Sequence, residues 1–311
     1  MGKKLTYYIS GYQLELLSDF PERLEKMLYG FGPFVIQPKT GDQSPALSPP
    51  IMQFVINESQ NLSQLAFPET EGEILHTFLI EEGKCTMRKY GNKYNFTIIQ
   101  DRDGSFPLVL DMETGSSLVN CTCGPASALS PDNLKFALWM AFAFVAIPKQ
   151  TVALHSSVII YNNCAILFLG ESGTGKSTHT KLWLEHISGS RLLNDDSPVV
   201  RIEINGTDQL VPFVYGSPWS GKGRCHLNER YPVAAFVRLQ QHPVNKIAKL
   251  SKLEAFGALY PSFPPAFLKD DYFEEQICGI ISTIIMTTPV YRLQCLPDST
   301  AAELVKISVF M

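Results

Sequence analysis

The stretch Gly170–Thr178, "GESGTGKST", sets glycines, a lysine and hydroxyls at the spacing G-x-x-x-x-G-K-S. That spacing fits a loop that grips phosphate. Glycines let the backbone turn and point its N–H groups into one concavity, where anionic oxygens are held. The N-terminus of the following helix adds partial positive charge. In such a loop Lys176 meets the β- and γ-phosphates of a nucleotide, and Ser177 offers its hydroxyl to Mg2+. Gly170, Glu171, Ser172, Gly173, Thr174, Gly175 and Thr178 complete the cradle.

A second group follows. A short apolar stretch, Arg191–Leu193, ends in Asn194-Asp195-Asp196. Ligands of open α/β sheets sit at the carboxyl ends of strands. Two carboxylates there can hold Mg2+ and accept a proton from an attacking hydroxyl. Neighbours on an extended chain point to opposite sides, so one of the pair suffices to face a site. His155 opens the strand-like "HSSVIIY" and is expected near the same sheet end.

The third group is "YGSPWSGKGRCHLNER", Tyr215–Arg230. Its glycines, Trp219, and the cations Lys222 and Arg224 suit a flexible lid over an anionic ligand, with Ser220, Lys222 and Arg224 as candidate substrate contacts. A surface loop with solvated charges is the alternative reading.

The elements that must position these residues can be read from pattern. Two apolar strands, Ser157–Tyr161 and Cys164–Leu169, flank Asn162-Asn163, a tight-turn dipeptide. The second strand runs into the glycine-rich loop, and Ser177–Ile187 reads as a helix stopping at Ser188-Gly189. Strands are expected at Val199–Ile204, Val233–Gln240 and "VYRLQC". Helices are expected at "SKLEAFGALYP", with a Ser251/Glu254 capping box, at "DDYFEEQICGIISTIIMTTP", and at "PDSTAAELVKISVF". This alternation predicts an α/β domain over residues 131–311. Residues 1–130 read as a smaller β-rich domain. It has a strand at its start, a helix with apolar spacing at Leu24, Met27 and Leu28, long loops over 36–72 around a strand at Met52–Ile56, and an antiparallel meander over 74–119. The meander is punctuated by Glu82-Gly83, Gly91-Asn92 and Asp103-Gly104. The helix beginning at Pro131 is expected to pack onto the second domain.

With 311 residues the chain is long enough for two domains. A formal charge of −4 gives no basic field, so nucleic acid is not expected as a partner. The most apolar run, "FALWMAFAFVAI" (Phe136–Ile147), is too short to span a bilayer, so no membrane partner is expected either. No signal peptide is read at the start, which makes the cytoplasm the expected location. The seven cysteines are scattered and are expected to be reduced thiols; Cys121 and Cys123 form the close pair, with nothing beside them to complete a metal site.

His155, the loop Gly170–Ser177 and Asp195-Asp196 together resemble the HPr kinase/phosphorylase family, whose core is shared with phosphoenolpyruvate carboxykinases. The pattern is a His-started hairpin, G-x-S-G-x-G-K-S, a helix and a strand ending in Asp-Asp. The resemblance covers residues 150–240 and is to a small, divergent bacterial member. It implies a mixed-sheet P-loop domain that moves the γ-phosphate of ATP to a hydroxyl on a protein serine or a small molecule, with Mg2+. It also implies Asp196 as general base, Lys176 and His155 beside the reacting phosphate, Asp195 assisting the metal or holding the loop, and a homo-oligomer. The Glu-x-Arg-Gly segment of bacterial HPr kinases is missing around Tyr215–Gly223. A nucleotide sensor without turnover is the alternative, and a carboxykinase-like enzyme a more distant one.

Overall fold

The computed structural model describes residues 3–35, 49–59, 72–80, 83–100, 106–221, 223 and 225–311. Most of the loops expected over 36–72, Glu82 and the Asp103-Gly104 turn lie outside these residues. The chain forms two compact units, Met1–Ala146 and Ile147–Met311. Each is built on a mixed sheet.

The first unit holds strands β1 (Lys3–Ile9) and β2 (Tyr12–Ser18), helix α1 (Pro21–Met27), and strands β3 (Met52–Glu58), β4 (Glu73–Ile80), β5 (Gly83–Tyr90), β6 (Lys93–Gln100), β7 (Leu108–Glu113) and β8 (Leu118–Cys123). Their order is β1-β2-β3-β8-β7-β6-β5-β4. The expected meander is present as β4 to β8, each antiparallel to the next. β3 runs parallel to both β2 and β8. The opening stretch, expected as one strand, is a hairpin; Ser10 and Gly11 turn it at φ 48 and 82°.

Helix α2 (Pro131–Ala146) packs against β3 and β7, with Phe144 edge-on to Tyr94 at 5.1 Å between ring centres. It therefore belongs to the first unit, and the compact units meet at residue 146 rather than at the expected 130. The reason is chemical. Leu134, Leu138, Phe142 and Phe144 are all buried, and the apolar face of the first sheet needs a cover.

The second unit holds β9 (Thr151–Ala153), β10 (Ser156–Tyr161), β11 (Cys164–Leu169), α3 (Lys176–His186), β12 (Arg191–Asn194), β13 (Val199–Ile204), β14 (Leu210–Tyr215), β15 (Arg230–Gln241), β16 (Lys246–Lys249), α4 (Lys252–Leu259), α5 (Asp271–Thr287), β17 (Val290–Cys295) and α6 (Ser299–Phe310). The long strand β15 organises the sheet. Its start pairs antiparallel with β14, and the rest lies parallel to β11 on one side and β17 on the other. Helices α3 and α6 cover a face whose core includes Phe168, Trp183, Val237, Leu293 and Val305.

The expected Asn162-Asn163 turn is present, both residues being left-handed at φ 49 and 57°. The Ser251/Glu254 capping box starts α4, and Asp298 caps α6. Among the described residues no helix is long and apolar enough to cross a membrane. All seven cysteines are free thiols.

Candidate active site

Strand direction decides what meets what. β11 and β12 are each antiparallel to β10, so they run the same way, and β15 runs parallel to β11. The loop after β11, the Asp pair after β12 and the far half of β15 therefore come to one end of the sheet. β10 runs back, so its beginning, next to His155, reaches that end too: Ser156 pairs with Leu169.

The glycine-rich loop joins β11 to α3. Gly175 caps α3 in the left-handed region at φ 103°, where a β-carbon would be strained. Among the described residues no side chain caps this helix, so its first N–H groups lack a side-chain acceptor there. The Thr174 hydroxyl donates to the Glu171 carbonyl at 2.8 Å and closes the turn. Gln241, at the end of β15, donates to the Gly173 carbonyl at 3.2 Å and braces the loop from the side. Ser172, Ser177 and Thr178 are exposed.

The buried Lys176 ammonium folds back over the loop. It donates to the carbonyls of Gly170 at 2.7 Å and Glu171 at 3.1 Å, and lies 2.9 Å from His155 Nε2. An ammonium only donates, so Nε2 accepts and Nδ1 carries the ring proton. That Nδ1 stands 3.4 Å from Asp196 Oδ1. A chain of polar atoms thus runs from the phosphate-loop lysine through an imidazole to a carboxylate. Burial holds the Lys176 pKa below its ordinary value, aided by the nearby charge of Arg238; Asp196 and Glu171 work against this. Burial pushes the Asp196 carboxyl up, but His155, the Ser197 hydroxyl and Lys176 together hold it below its usual range.

Asp195 faces elsewhere, as alternation on an extended strand requires. Its Oδ1 accepts from the Ser220 hydroxyl at 2.6 Å and from the Gly221 N–H at 2.8 Å, and its Oδ2 from the Gly223 N–H at 2.8 Å. These three bonds tie Asp195 to Ser220, Gly221 and Gly223. Ser220, expected as a substrate contact, is one of the groups so held. Lys222 and Arg224 lie outside the described residues.

Three side chains here were given no role from sequence. Asn194 is fully buried and accepts at Oδ1 from the N–H groups of Asp196 at 2.9 Å and Ser197 at 3.0 Å. Its Nδ2 donates to the Ser217 hydroxyl at 3.1 Å and the Trp219 carbonyl at 3.3 Å. The buried Ser217 hydroxyl in turn donates to the Ser197 carbonyl at 2.6 Å. Arg238 pairs in register with Leu169, the last residue before the loop, and its guanidinium is 3.5 Å from the Glu171 carboxylate. A lone arginine inside the apolar "VAAFVRLQ" was the signal for it.

No protein-family profile matches the chain, and no curated protein matches it. Among solved structures it is similar to the Hpr(Ser) kinase/phosphatase from Coxiella burnetii. The two are 14% identical over 51% of this chain and 93% of that one, with a TM-score of 0.26. This is a weak structural relation confined to half of the chain.

The site's own chemistry is concrete. It offers an uncapped helix start beside a glycine turn, two cations in Lys176 and Arg238, and one half-buried carboxylate held ionised. Among the described residues no group of three or more His, Cys, Asp or Glu side chains could hold a metal by itself. Mg2+ on a nucleotide needs less, because phosphates and waters supply most of its ligands. The exposed Ser177 hydroxyl at the start of α3 fits that smaller demand.

Proposed function

We propose that the second unit is an ATP-dependent phosphotransferase of HPr-kinase-like architecture that moves the γ-phosphoryl group to a hydroxyl. The observation that carries this reading is the line Lys176–His155–Asp196. It places an ionised carboxylate two contacts away from the lysine of a phosphate loop.

In this reading the phosphates lie on the loop N–H groups and the start of α3, and displace Lys176 from the Gly170 and Glu171 carbonyls. Lys176 and Arg238 then neutralise charge that builds on the transferred group. Asp196 accepts the proton of the acceptor hydroxyl, and His155 orients that carboxylate by donating from Nδ1. Mg2+ when bound draws charge from the phosphate oxygens, with Ser177 as its protein ligand. The acceptor is a protein serine or a small molecule in the cytoplasm, where ATP and reduced thiols coexist.

A second reading, a nucleotide sensor without turnover, is favoured by the commitment of Asp195 to its loop. That leaves Asp196 as the member of the pair turned toward His155. Release of ADP from Mg·ATP by the wild-type chain, Lys176→Ala and Asp196→Asn separates the two. Phosphotransfer predicts turnover that both variants lose. Tight ATP binding with no turnover, in the presence of a cell extract as acceptor source, supports the sensor.

A further inference from the structure

We infer that Asp195 is a positioning residue: its carboxylate holds the backbone at Ser220, Gly221 and Gly223 against Asp196, and it does not ligate the nucleotide's cation. The inference deepens the phosphotransfer reading and rests on it for the role of the cation.

Three donors converge on this carboxylate. Hydrogen bonds to an ionised acceptor are about twice as strong as neutral ones. Turning Asp195 toward a cation would break all three, and two of the donors are backbone groups. The fit is also close. A β-carbon at Gly223 would lie 2.5 Å from Asp195 Oδ2. One at Gly221 would lie 3.3 Å from that same oxygen and 3.3 Å from the Asp196 β-carbon, so this backbone packs against both members of the pair.

The anchor passes its order along the chain. The Ser220 hydroxyl that donates to Asp195 also accepts the Cys225 N–H at 2.9 Å. From the adjoining position on β12, Asn194 holds the Ser217 and Trp219 end of the same loop. Asn194 and Asp195 thus fix a wall beside the carboxylate that receives the acceptor's proton. The division of labour follows from strand alternation: one aspartate shapes the wall, and its neighbour does the chemistry.

The test uses Asp195→Asn, which keeps shape and removes charge. Two readouts are taken on the full chain. One is amide hydrogen exchange at Gly221 and Gly223 by NMR. The other is the Mg2+ concentration for half-maximal binding of a fluorescent ATP analogue. Exchange at both amides is expected to rise by about tenfold or more, the effect of losing a charge-assisted hydrogen bond. The Mg2+ midpoint is expected to stay within about twofold. Gly223→Ala keeps the carboxylate and pushes the loop away from it, and is expected to raise Gly221 exchange with the same unmoved midpoint. A midpoint raised about tenfold in Asp195→Asn overturns the inference, as does unchanged Gly221 exchange in either variant. If the wild-type chain binds no ATP analogue, the phosphotransfer reading fails, and the amides still decide whether Asp195 holds the wall.

Discussion

The Nδ1 of His155 lies 3.4 Å from Asp196 Oδ1, while the other ring nitrogen lies 2.9 Å from Lys176 Nζ. One imidazole therefore joins the group expected to hold phosphate to the group expected to take a proton. Its consequence is electrostatic. This partner, with the Ser197 hydroxyl and Lys176, holds the Asp196 carboxyl below its usual range, although burial would favour the acid.

The pH dependence of turnover should show it. A carboxyl held low in the folded chain keeps its charge until pH falls through that lowered pKa. In His155→Ala the main counterweight to burial is gone, and the carboxyl rises. The acid limb of kcat/KM should move upward from its place below the ordinary aspartate value of about 3.9. Acid limbs that coincide in the two proteins would remove Asp196 from the base role.

Arg238 should count in nucleotide affinity. Its side chain is mostly buried beside the loop, and its charge is felt at Lys176. Losing a charged hydrogen bond to phosphate costs about 1.5–3 kcal/mol. Arg238→Gln is thus expected to weaken ATP-analogue binding roughly 10- to 100-fold, and Glu171→Gln, which frees the arginine and removes a carboxylate beside the loop, not to weaken it. Equal affinity in wild type and Arg238→Gln would take the arginine out of the site.

His179 makes a prediction about stability. It is buried against Phe168, its Nε2 has no hydrogen-bond partner among the described residues, and burial pushes its pKa down to about 4. The unfolded chain, with an ordinary pKa near 6.5, binds the proton first as pH falls. Stability is then full above that value and declines toward pH 4, by about 3 kcal/mol for a drop of this size. Urea unfolding at pH 7 and pH 4.5 measures it. His179→Leu should flatten the slope, and an unchanged slope would assign the acid loss to other groups.

What could be read from sequence was what is local. The G-x-x-x-x-G-K-S turn, the Asn162-Asn163 hairpin and the Ser251/Glu254 box each lie within a few residues, where backbone sterics and near-neighbour hydrogen bonds decide the outcome. What could not be read depends on strand partners. Arg238 matters because β15 lies parallel to β11 and sets it level with Leu169. Asp195 meets donors from a loop far along the chain, a meeting that strand pattern does not give. Helix α2 is apolar nearly all round, so its pattern did not name the sheet it covers.

The cap of α4 gives a control outside the site. Ser251 accepts the Glu254 N–H, and the Glu254 carboxylate returns to the Ser251 N–H at 3.0 Å. Ser251→Ala should cost about 1 kcal/mol of stability in chemical unfolding, with ATP-analogue affinity unmoved. A neutral effect on stability would mean that the box contributes little in this chain.

The most direct measurement is the rate of ADP formation from Mg·ATP with a cell extract as acceptor source, wild type against Asp196→Asn. The variant keeps the shape of the carboxylate and cannot accept a proton. General-base loss predicts a fall of about 10²- to 10⁴-fold in rate, with ATP-analogue affinity held within a few-fold. An Asp196→Asn chain that turns over ATP like the wild type, or a wild type that binds ATP tightly and never turns it over, would contradict phosphotransfer through Asp196.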